Sequence, residues 1–522
     1  MNSKNSFFFW VVLGLFAHLL IGFSDWRFDA NDDVLMMWLV SGGYTGDYES
    51  YAVFLHPFLS SFLASLYSIV PNISWYPVFW FLFLFFAYVG VIFSIFYKSN
   101  TIRIAWVLSF FVLLVWIHFC FFLQFTLVAG AAAFSAYLIF EKALKFKSKI
   151  LYGISIILIV ISILVRWESF ALFSIGYGLY LLVCCCKDNF RKIILHLIPI
   201  ISLFLFFRIS DYVFINASGL ADFKAYTKAR SSVFDHPAFY SLATKDYLAP
   251  GSNWFFFSLG MMDGNQTNLE SLKSLKNELD KNLFSVNQAF RSFDRIKEIM
   301  VFQRFKAVMS LFIVLGYFGL FFWKPKKMLF FGLWILFIVV FNHFFIINPR
   351  VFILLFMVLL IPILSYSSQK TSYSRFLIPS FVMLFGIAII HCRNFMVEAN
   401  RRDLIEEEFD ALINSIDPNQ LMVFEGYRQN FLPLKYSKIN PVPYISVGWI
   451  SNSPFQKKAL ARFGIKEFQE ADNYYLFGID VGDTYYFNDF MRFLGKNYSE
   501  IKELNSDNIQ FFEFKADSSN QN

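Results

Sequence analysis

The amino-acid sequence predicts a polytopic α-helical membrane protein with about 11 transmembrane helices and a small α/β domain at its C-terminal end. Of its 522 residues, 57% are hydrophobic and only 16% are charged, whereas soluble proteins are just under half apolar and about a quarter charged. The apolar residues also form runs near the roughly 20 residues that cross a bilayer. These observations exclude a soluble enzyme, and the net charge of +7 indicates topology and not a nucleic-acid partner.

Candidate spans follow one another through residues 1–391, which we assign to one transmembrane domain. Their predicted ranges are 7–23, 74–97, 104–122, 124–140, 150–165, 169–186, 191–207, 306–323, 328–346, 350–366 and 376–391. The first run is followed by Phe23-Ser24-Asp25-Trp26, which lacks the small-residue cleavage pattern of a signal peptide. We therefore interpret it as a retained anchor.

Lysine and arginine residues gather in alternate connecting segments, where the only acids are Glu141 and Asp188. These basic residues are Lys4, Lys98, Arg103, Lys142, Lys145, Lys147, Lys149, Lys187, Arg191, Lys192, Lys324, Lys326, Lys327, Lys370 and Arg375. The positive-inside rule assigns such segments to the cytoplasm. It predicts an integral protein of the plasma membrane (the bacterial inner membrane) with a cytoplasmic N-terminus and an external C-terminal domain.

The segments between the basic loops are predicted to be external. The long ones are 24–73, 208–305 and 392–522. The first is rich in acids, and its apolar runs Val34–Val40 and Tyr51–Val70 are too short to span, so we expect them to lie in the membrane interface. In the last, strand-like runs occur at Leu421–Phe424, Tyr474–Phe477 and Ile509–Phe514. They predict an α/β domain of roughly 130 residues.

The first external segment contains two adjacent carboxylates, Asp32 and Asp33, directly after Asn31. Asn31 is a favourable N-cap, which would place both acids in the first turn of a helix. There the positive end of the helix dipole favours their charged form. Ordinary first-turn acids are an equally good interpretation of this pair.

Three further charged side chains are predicted near the external mouths of spans. Arg166 and Glu168 share a short turn, and Arg350 follows Asn348-Pro349. Ionised groups at membrane depth are costly, so they usually pair with each other or line a functional cavity. The alternatives are a local pair between Arg166 and Glu168, and an Arg350 side chain that reaches the headgroups.

The second external segment interleaves charged and aromatic residues over one short stretch. It contains Lys224, Tyr226, Lys228, Arg230 and Asp235, a combination that suits recognition of a sugar or a phosphate. A solvated amphipathic helix would account for the same pattern.

Sequence patterns that would indicate a cofactor are missing. His56, His118 and His343 do not show metal-ligand spacing, and no HExxH, Walker A or GxSxG pattern occurs. No cofactor is therefore predicted to be required. A divalent metal is compatible with the chemistry but has no support from ligand spacing.

The order of these features resembles the GT-C superfamily of polyprenyl-phosphate-sugar-dependent glycosyltransferases. Within it, the run from Asn31-Asp32-Asp33 to Ser41-Gly42-Gly43-Tyr44-Thr45-Gly46, followed by His56-Pro57, is similar to a group of bacterial surface-polysaccharide membrane proteins. Further similarities are Phe125-Thr126 with Gly130, Arg166, and Arg230 with Asp235-His236-Pro237. The resemblance covers the membrane part, residues 1–391.

This resemblance implies transfer of a sugar from a polyprenyl-phosphate donor to a glycan, lipid-linked or protein acceptor, with inversion at the anomeric carbon. It also implies a general base in the first external segment. Relatives have Asp-Glu or Glu-Asp where this chain has Asp32-Asp33, which leaves the base open, although we slightly favour Asp33. The predicted ligands of the donor phosphate are Arg350, Arg166 and Arg230, and the predicted substrate contacts are His56, Tyr226, Asp235 and Glu168.

Physical chemistry supports a lipid-linked donor, because nucleotide sugars are cytosolic whereas the acids and arginines are predicted to be external. A Wzy-like polysaccharide polymerase or ligase is the main alternative. A glycolipid transporter or flippase is less favoured, because no internal repeat is evident in the sequence. A non-catalytic scaffold would leave the acids of the first external segment dispensable.

Overall fold

The structure is a computed structural model that describes residues 3–97, 102–184, 187–239, 248–321, 324–365, 374–414, 416–417, 419–424, 444–479, 486–505 and 508–517. Of the basic residues used to predict topology, Lys98 and Lys370 lie outside these ranges. The described chain is mostly helical, with a small sheet region near its C-terminal end.

The helices are named in chain order. They are α1 (Ser3–Phe23), α2 (Asn31–Ser41), α3 (Pro57–Ile69), α4 (Trp75–Phe96), α5 (Ile102–Phe121), α6 (Phe125–Phe146), α7 (Lys149–Cys184), α8 (Lys187–Ala217), α9 (Ala221–Phe234), α10 (Asn253–Ser258), α11 (Leu269–Asn282), α12 (Val286–Phe302), α13 (Arg304–Phe321), α14 (Pro325–Phe344), α15 (Pro349–Met357), α16 (Leu360–Leu364), α17 (Ser374–Ile413), α18 (Pro454–Ala461) and α19 (Phe487–Phe493).

Within the described residues, eight helices are long and apolar enough to cross a membrane, or nine spans if α12 and α13, which meet at a bend of 106°, form one. The eight are α1, α4, α5, α6, α7, α8, α14 and α17. Together they support a polytopic, membrane-embedded helical protein.

Four of the eleven predicted spans take a different form. The spans predicted at 150–165 and 169–186 lie in the single helix α7, which is broken by non-helical backbone at Arg166 (φ −160°, ψ 97°). The span predicted at 306–323 lies in α13, beyond its bend with α12. The span predicted at 350–366 is divided between α15 and α16, and each of these is too short to cross alone.

The predicted orientation can be tested with reporter fusions after Lys149 and after Asn400. Lys149 begins α7 beside a run of basic residues, whereas Asn400 lies on α17 beyond the apolar part of that helix. We expect a fluorescent-protein reporter to be active only after Lys149 and a phosphatase reporter only after Asn400. Activity of the same reporter at both positions would contradict the predicted topology.

The helix predicted to lie in the membrane interface, α2, is instead buried inside the protein. Its residues from Asp32 to Val40 are all buried, as expected for a short helix that is apolar on every side. The predicted N-cap is also wrong by one position, because Ala30 flanks the helix and no side chain caps it. Both aspartates nevertheless lie in the first turn, as predicted. By contrast, α3 exposes Phe58, Phe62 and Ile69, which suits an interfacial helix.

A two-stranded sheet positions the segment before α2. Strand β1 (Arg27–Phe28) pairs in parallel with β2 (Phe122–Leu123) and ties the residues before α2 to the end of α5. Gly130 of α6 lies against α15, because an added Cβ there would be 2.6 Å from the Leu354 side chain. This close packing holds α6 against α15.

The C-terminal sheet has the strand order β4-β3-β5-β7-β6. Its strands are β3 (Leu421–Phe424), β4 (Tyr444–Ser446), β5 (Asn473–Ile479), β6 (Tyr498–Asn505) and β7 (Ile509–Ala516). The three predicted strands are thereby confirmed as β3, β5 and β7. All four residues of β3 are buried, because the strand is central and covered on both faces.

The sheet is attached to the helical region by a continuous helix. The predicted domain boundary at 391/392 falls inside the 40-residue helix α17, whose Phe409 ring lies 4.9 Å from the Phe477 ring of the sheet. The sheet also covers α2, since Trp38 and Tyr444 have ring centroids 4.9 Å apart. This cover explains why α2 is buried and does not lie against lipid.

Candidate functional site

A cavity of about 810 Å³ lies where the helical region meets the C-terminal sheet domain. Seven of the nine predicted site residues line it, namely Asp32, His56, Arg166, Glu168, Arg230, Asp235 and Arg350. Residues separated by more than 300 positions thus face one enclosed space, which is the usual form of a small-molecule site. Asp33 and Tyr226 do not line it.

The side chain of Asp33 is buried and links α2 to α4 and α6. Its Oδ1 accepts hydrogen bonds from the Tyr76 hydroxyl at 2.9 Å, the Trp80 indole N–H at 3.2 Å and the Phe125 backbone N–H at 3.1 Å. Its Oδ2 is buried without a partner among the described residues. Burial raises the pKa of Asp33 well above its ordinary value, contrary to the expectation that both acids are charged. This geometry gives Asp33 a structural position and leaves Asp32 facing the cavity.

Asp32 forms an ion pair with Arg350, although the two residues are 318 positions apart. Arg350 begins α15 directly after Pro349, while Asn348 is extended, as expected for a residue before proline. The helix dipole repels a cation at this end. The Asp32 carboxylate offsets that repulsion, so Arg350 has an acidic partner that is distant in the sequence.

Arg166 lies at the break in α7, with its side chain turned into the cavity. Its Nε is 3.0 Å from the Glu168 carboxylate, so the local pair considered above does form. The guanidinium also lies over the Phe54 and Phe125 rings, 5.3 and 5.1 Å from their centroids. Cation–π contacts and the ion pair fix this side chain in one orientation.

Arg230 is the most unusual cation of the cavity. Its residue surface is only 7% exposed, and within the described part of the chain its side chain makes no hydrogen bond or ion pair within 4 Å. Burial lowers its pKa to about 10, which still leaves it charged at neutral pH. A buried guanidinium without a carboxylate partner is costly, and a bound anion would relieve that cost.

Helix α9 carries Arg230 together with several other polar residues of the cavity. Positions 224, 227, 228 and 231 recur at the helical spacing of three or four and face the same space. Asp235 ends this helix and is exposed to the cavity. Tyr226 does not line the cavity, but its hydroxyl lies 3.6 Å from the sulfur of Met262, which does. Its predicted substrate contact stays a prediction.

His56 lines the cavity, but both of its ring nitrogens are used by the protein. Its Nδ1 accepts from the Phe58 backbone N–H at 3.1 Å, and its Nε2 donates to the Phe207 carbonyl at 2.9 Å. Burial lowers the pKa of His56. The neutral ring therefore caps the start of α3 and positions the wall of the cavity. Its predicted substrate contact stays a prediction.

Several cavity residues were not predicted. Arg208 and Asp211 come from the end of α8, where they form an ion pair at 3.2 Å. Gly448 and Trp449 come from the C-terminal domain, in which no motif indicated a site. The spacing of Arg208 and Asp211 at i and i+3 is a sequence signal that could have identified the first pair. The second pair has no such signal.

The C-terminal segment 446–453 is fastened to the loop after α10. The Gly260 carbonyl accepts from the Gly448 backbone N–H at 2.9 Å and from the Ser451 hydroxyl at 3.0 Å. Asn452 donates to the Met262 carbonyl at 3.2 Å. These bonds close one wall of the cavity.

Replacing Gly260 with alanine should open that wall. Gly260 has a φ of +80°, and an added Cβ would lie 2.7 Å from the Gly448 Cα, a contact with backbone that cannot rotate away. We expect faster proteolysis between the helical region and the sheet, with the helical content unchanged by circular dichroism. Gly219→Ala, which has a φ of +69° but open space around it, is the matched control for backbone strain alone. Equal proteolysis of the two variants would contradict the proposed closure.

No protein-family model, curated protein or solved structure matches this chain. Among the residues that the structure describes, no three His, Cys, Asp or Glu side chains are grouped so that they could hold a metal ion.

Proposed function

We propose that this protein is an inverting membrane glycosyltransferase that transfers a sugar from a polyprenyl-phosphate donor to an acceptor hydroxyl on the external face. The observation that carries the proposal is the cavity, in which Asp32 and Arg350 form an ion pair and the guanidinium of Arg230 has no ion-pair partner among the described residues. A carboxylate and cations are the groups that this reaction needs.

In the proposed reaction, Asp32 accepts the proton of the acceptor hydroxyl. The acceptor oxygen forms a bond to the anomeric carbon, and the bond between that carbon and the phosphate oxygen breaks on the opposite face. The electron pair leaves with the polyprenyl phosphate. This step needs a proton acceptor within hydrogen-bond reach of the hydroxyl, and Asp32 is the carboxylate of the adjacent pair that faces the cavity.

Arg350 and Arg230 are the proposed ligands of the donor phosphate. Arg350 holds Asp32 before the donor binds, and a phosphate that takes hydrogen bonds from Arg350 would free Asp32 for the acceptor. Arg230 has no such ion pair with any residue that the structure describes, so it can bind the phosphate directly. Planar, permanently charged guanidinium groups bind phosphate in a fixed geometry. Arg166, held by Glu168 and two rings, would orient the sugar side of the donor.

The test is an assay of the purified protein in phospholipid nanodiscs with a set of radiolabelled polyprenyl-phosphate sugars. Short-chain glycans serve as acceptors, and Asp32→Asn is the inactive control. We expect labelled glycan and free polyprenyl phosphate in equal amounts, with no transfer from nucleotide sugars. If transfer occurs only from polyprenyl-diphosphate oligosaccharides, the protein is a polymerase or ligase. If no donor in the set binds or reacts, the proposed function is wrong.

A further inference from the structure

The charges of the cavity fall into two groups that differ in balance. The group around the proposed donor site has three cations and three acids, namely Arg166, Arg230, Arg350, Asp32, Glu168 and Asp235. Among the described residues that line the cavity, the group around Asp211 has three cations and one acid, namely Arg208, Lys224, Lys228 and Asp211. The formal surplus of two positive charges therefore belongs to the second group and not to the predicted donor ligands.

One buried carboxylate serves two of these cations. The Asp211 Oδ2 lies 3.2 Å from Arg208 and 2.8 Å from Lys224, and Asp211 is only 5% exposed. Its single charge can balance only one of them. Arg208 is also held in place, because its guanidinium lies 4.5 Å from the centroid of the Trp167 ring.

The third cation and a neighbouring hydroxyl have no partner in the described chain. Lys228 follows Lys224 by one helical turn on α9, is exposed, and makes no ion pair or hydrogen bond with any described residue. The Thr227 Oγ1 lies on the same cavity-facing side and is buried without a hydrogen-bond partner among these residues. A hydroxyl and amine donors on one helix face suit the oxygens of a phosphate.

The helix that carries Arg208 also presents a row of exposed apolar side chains. They are Ile201, Leu205, Phe206, Ile209, Tyr212 and Val213. This part of α8 is a candidate membrane span, so an exposed apolar row here is suited to hydrocarbon. Arg208 lies among these residues along α8, so the surplus cations adjoin a surface that would accommodate a lipid chain.

We infer that Arg208, Lys224 and Lys228 bind the diphosphate of a lipid-linked acceptor glycan, with its chain along the exposed row of α8. A diphosphate that joins a lipid and a sugar carries two negative charges, which equals the surplus of this group. A lipid-linked monophosphate carries only one. The assignment of this diphosphate to the acceptor rests on the proposed function. The anion site itself rests on the charges and contacts alone.

The test measures binding of farnesyl-diphosphate-linked N-acetylglucosamine to the full-length protein by calorimetry, in nanodiscs of phosphatidylcholine. The main variant is Lys228→Gln, because no described residue loses a partner and folding should be unaffected. We expect about a tenfold loss of affinity, the size of one charge-assisted contact. Arg208→Gln, which leaves Asp211 paired with Lys224, should weaken binding as well.

The matched control is Lys273→Gln, which removes an exposed lysine of α11 outside the cavity. It should bind the probe like the wild type, and affinity for a farnesyl-phosphate sugar should change less than twofold in every variant. Unchanged diphosphate affinity in both Lys228→Gln and Arg208→Gln would overturn the site. Loss of probe binding in discs that contain phosphatidylglycerol would instead identify a site for anionic headgroups and overturn the acceptor assignment.

These measurements also separate the two proposals. If the protein binds the diphosphate through Lys228 but transfers no sugar, the anion site is supported and the proposed function is wrong. If the protein transfers sugar but its affinity for the diphosphate does not depend on Lys228 and Arg208, the proposed function is supported and this inference is wrong.

Discussion

Replacing Asp32 with asparagine is expected to lower the rate of sugar transfer by about 10² to 10⁴, the usual effect of losing a general base. Asp32 faces the cavity and is held by Arg350. The asparagine would keep the size of the side chain but lose both its ability to accept a proton and the ion pair with Arg350. Initial rates with a polyprenyl-phosphate sugar would measure this loss. Donor affinity should change much less than the rate.

Asp33→Asn is the matched control, because it changes the neighbouring carboxylate outside the cavity. The asparagine oxygen can still accept from Tyr76, Trp80 and the Phe125 backbone, so we expect most of the activity to remain. Asp33→Ala would leave three buried donors without an acceptor, at about 1 to 3 kcal/mol each, and should impair folding. A fully active Asp32→Asn together with an inactive, folded Asp33→Asn would restore Asp33 as the base.

The pH dependence of stability gives a second readout of Asp33. The pKa of Asp33 is raised in the folded protein. Its contribution to the free energy of unfolding is therefore fully present below the pKa of the unfolded state, about 4. That contribution is lost as the pH rises through the raised pKa of the folded state. The unfolding temperature of the wild type should therefore fall as the pH rises over that range. The Asp33→Asn protein should lack this loss, and identical pH profiles for the two proteins would contradict the burial described here.

Arg230→Met is expected to weaken donor binding by about 2 to 4 kcal/mol, or roughly 30- to 1000-fold, as when a hydrogen-bonded charge loses its partner. The same change should keep or raise the unfolding temperature, because it removes a buried cation that forms no ion pair within the described part of the chain. Methionine fills similar space without a charge. A gain in stability with a loss of binding is typical of a residue kept for function.

Arg295→Met is expected to have the opposite effects on stability and donor binding. Arg295 donates to the Pro237 carbonyl at 3.3 Å and to the Asn342 carbonyl at 2.6 Å, and it does not line the cavity. Its loss should lower the unfolding temperature and leave donor affinity unchanged. If Arg230→Met behaves in the same way, Arg230 is a structural residue and the donor phosphate is bound elsewhere.

The sequence was informative where the signal is local. Alternating or continuous apolar residues located β3, β5 and β7, and the charged turn at Arg166 located the break in α7. Both signals arise within a few neighbouring residues, so the rest of the fold does not need to be known.

The remaining features depend on contacts that no local pattern encodes. Asp32 and Asp33 are adjacent and chemically identical, and only the positions of Arg350 and Tyr76 separate their surroundings. The burial of α2 likewise depends on the sheet that covers it. Gly448 and Trp449 reach the cavity because their loop is bonded to Gly260, which ordinary loop residues do not reveal in advance.

The 40-residue helix α17 is longer than a membrane crossing needs, which would couple the C-terminal sheet to the bilayer. At 1.5 Å per residue it is roughly 60 Å long, about twice the thickness of a hydrocarbon core, so about half of it protrudes as a stiff arm. A change in tilt of about 10°, well within the range of spanning helices, would move the far end of this arm by about 5 Å. The sheet packs on that end, and the loop after β4 places Trp449 at the cavity. Membrane thickness would thereby act on the width of the entrance for substrates.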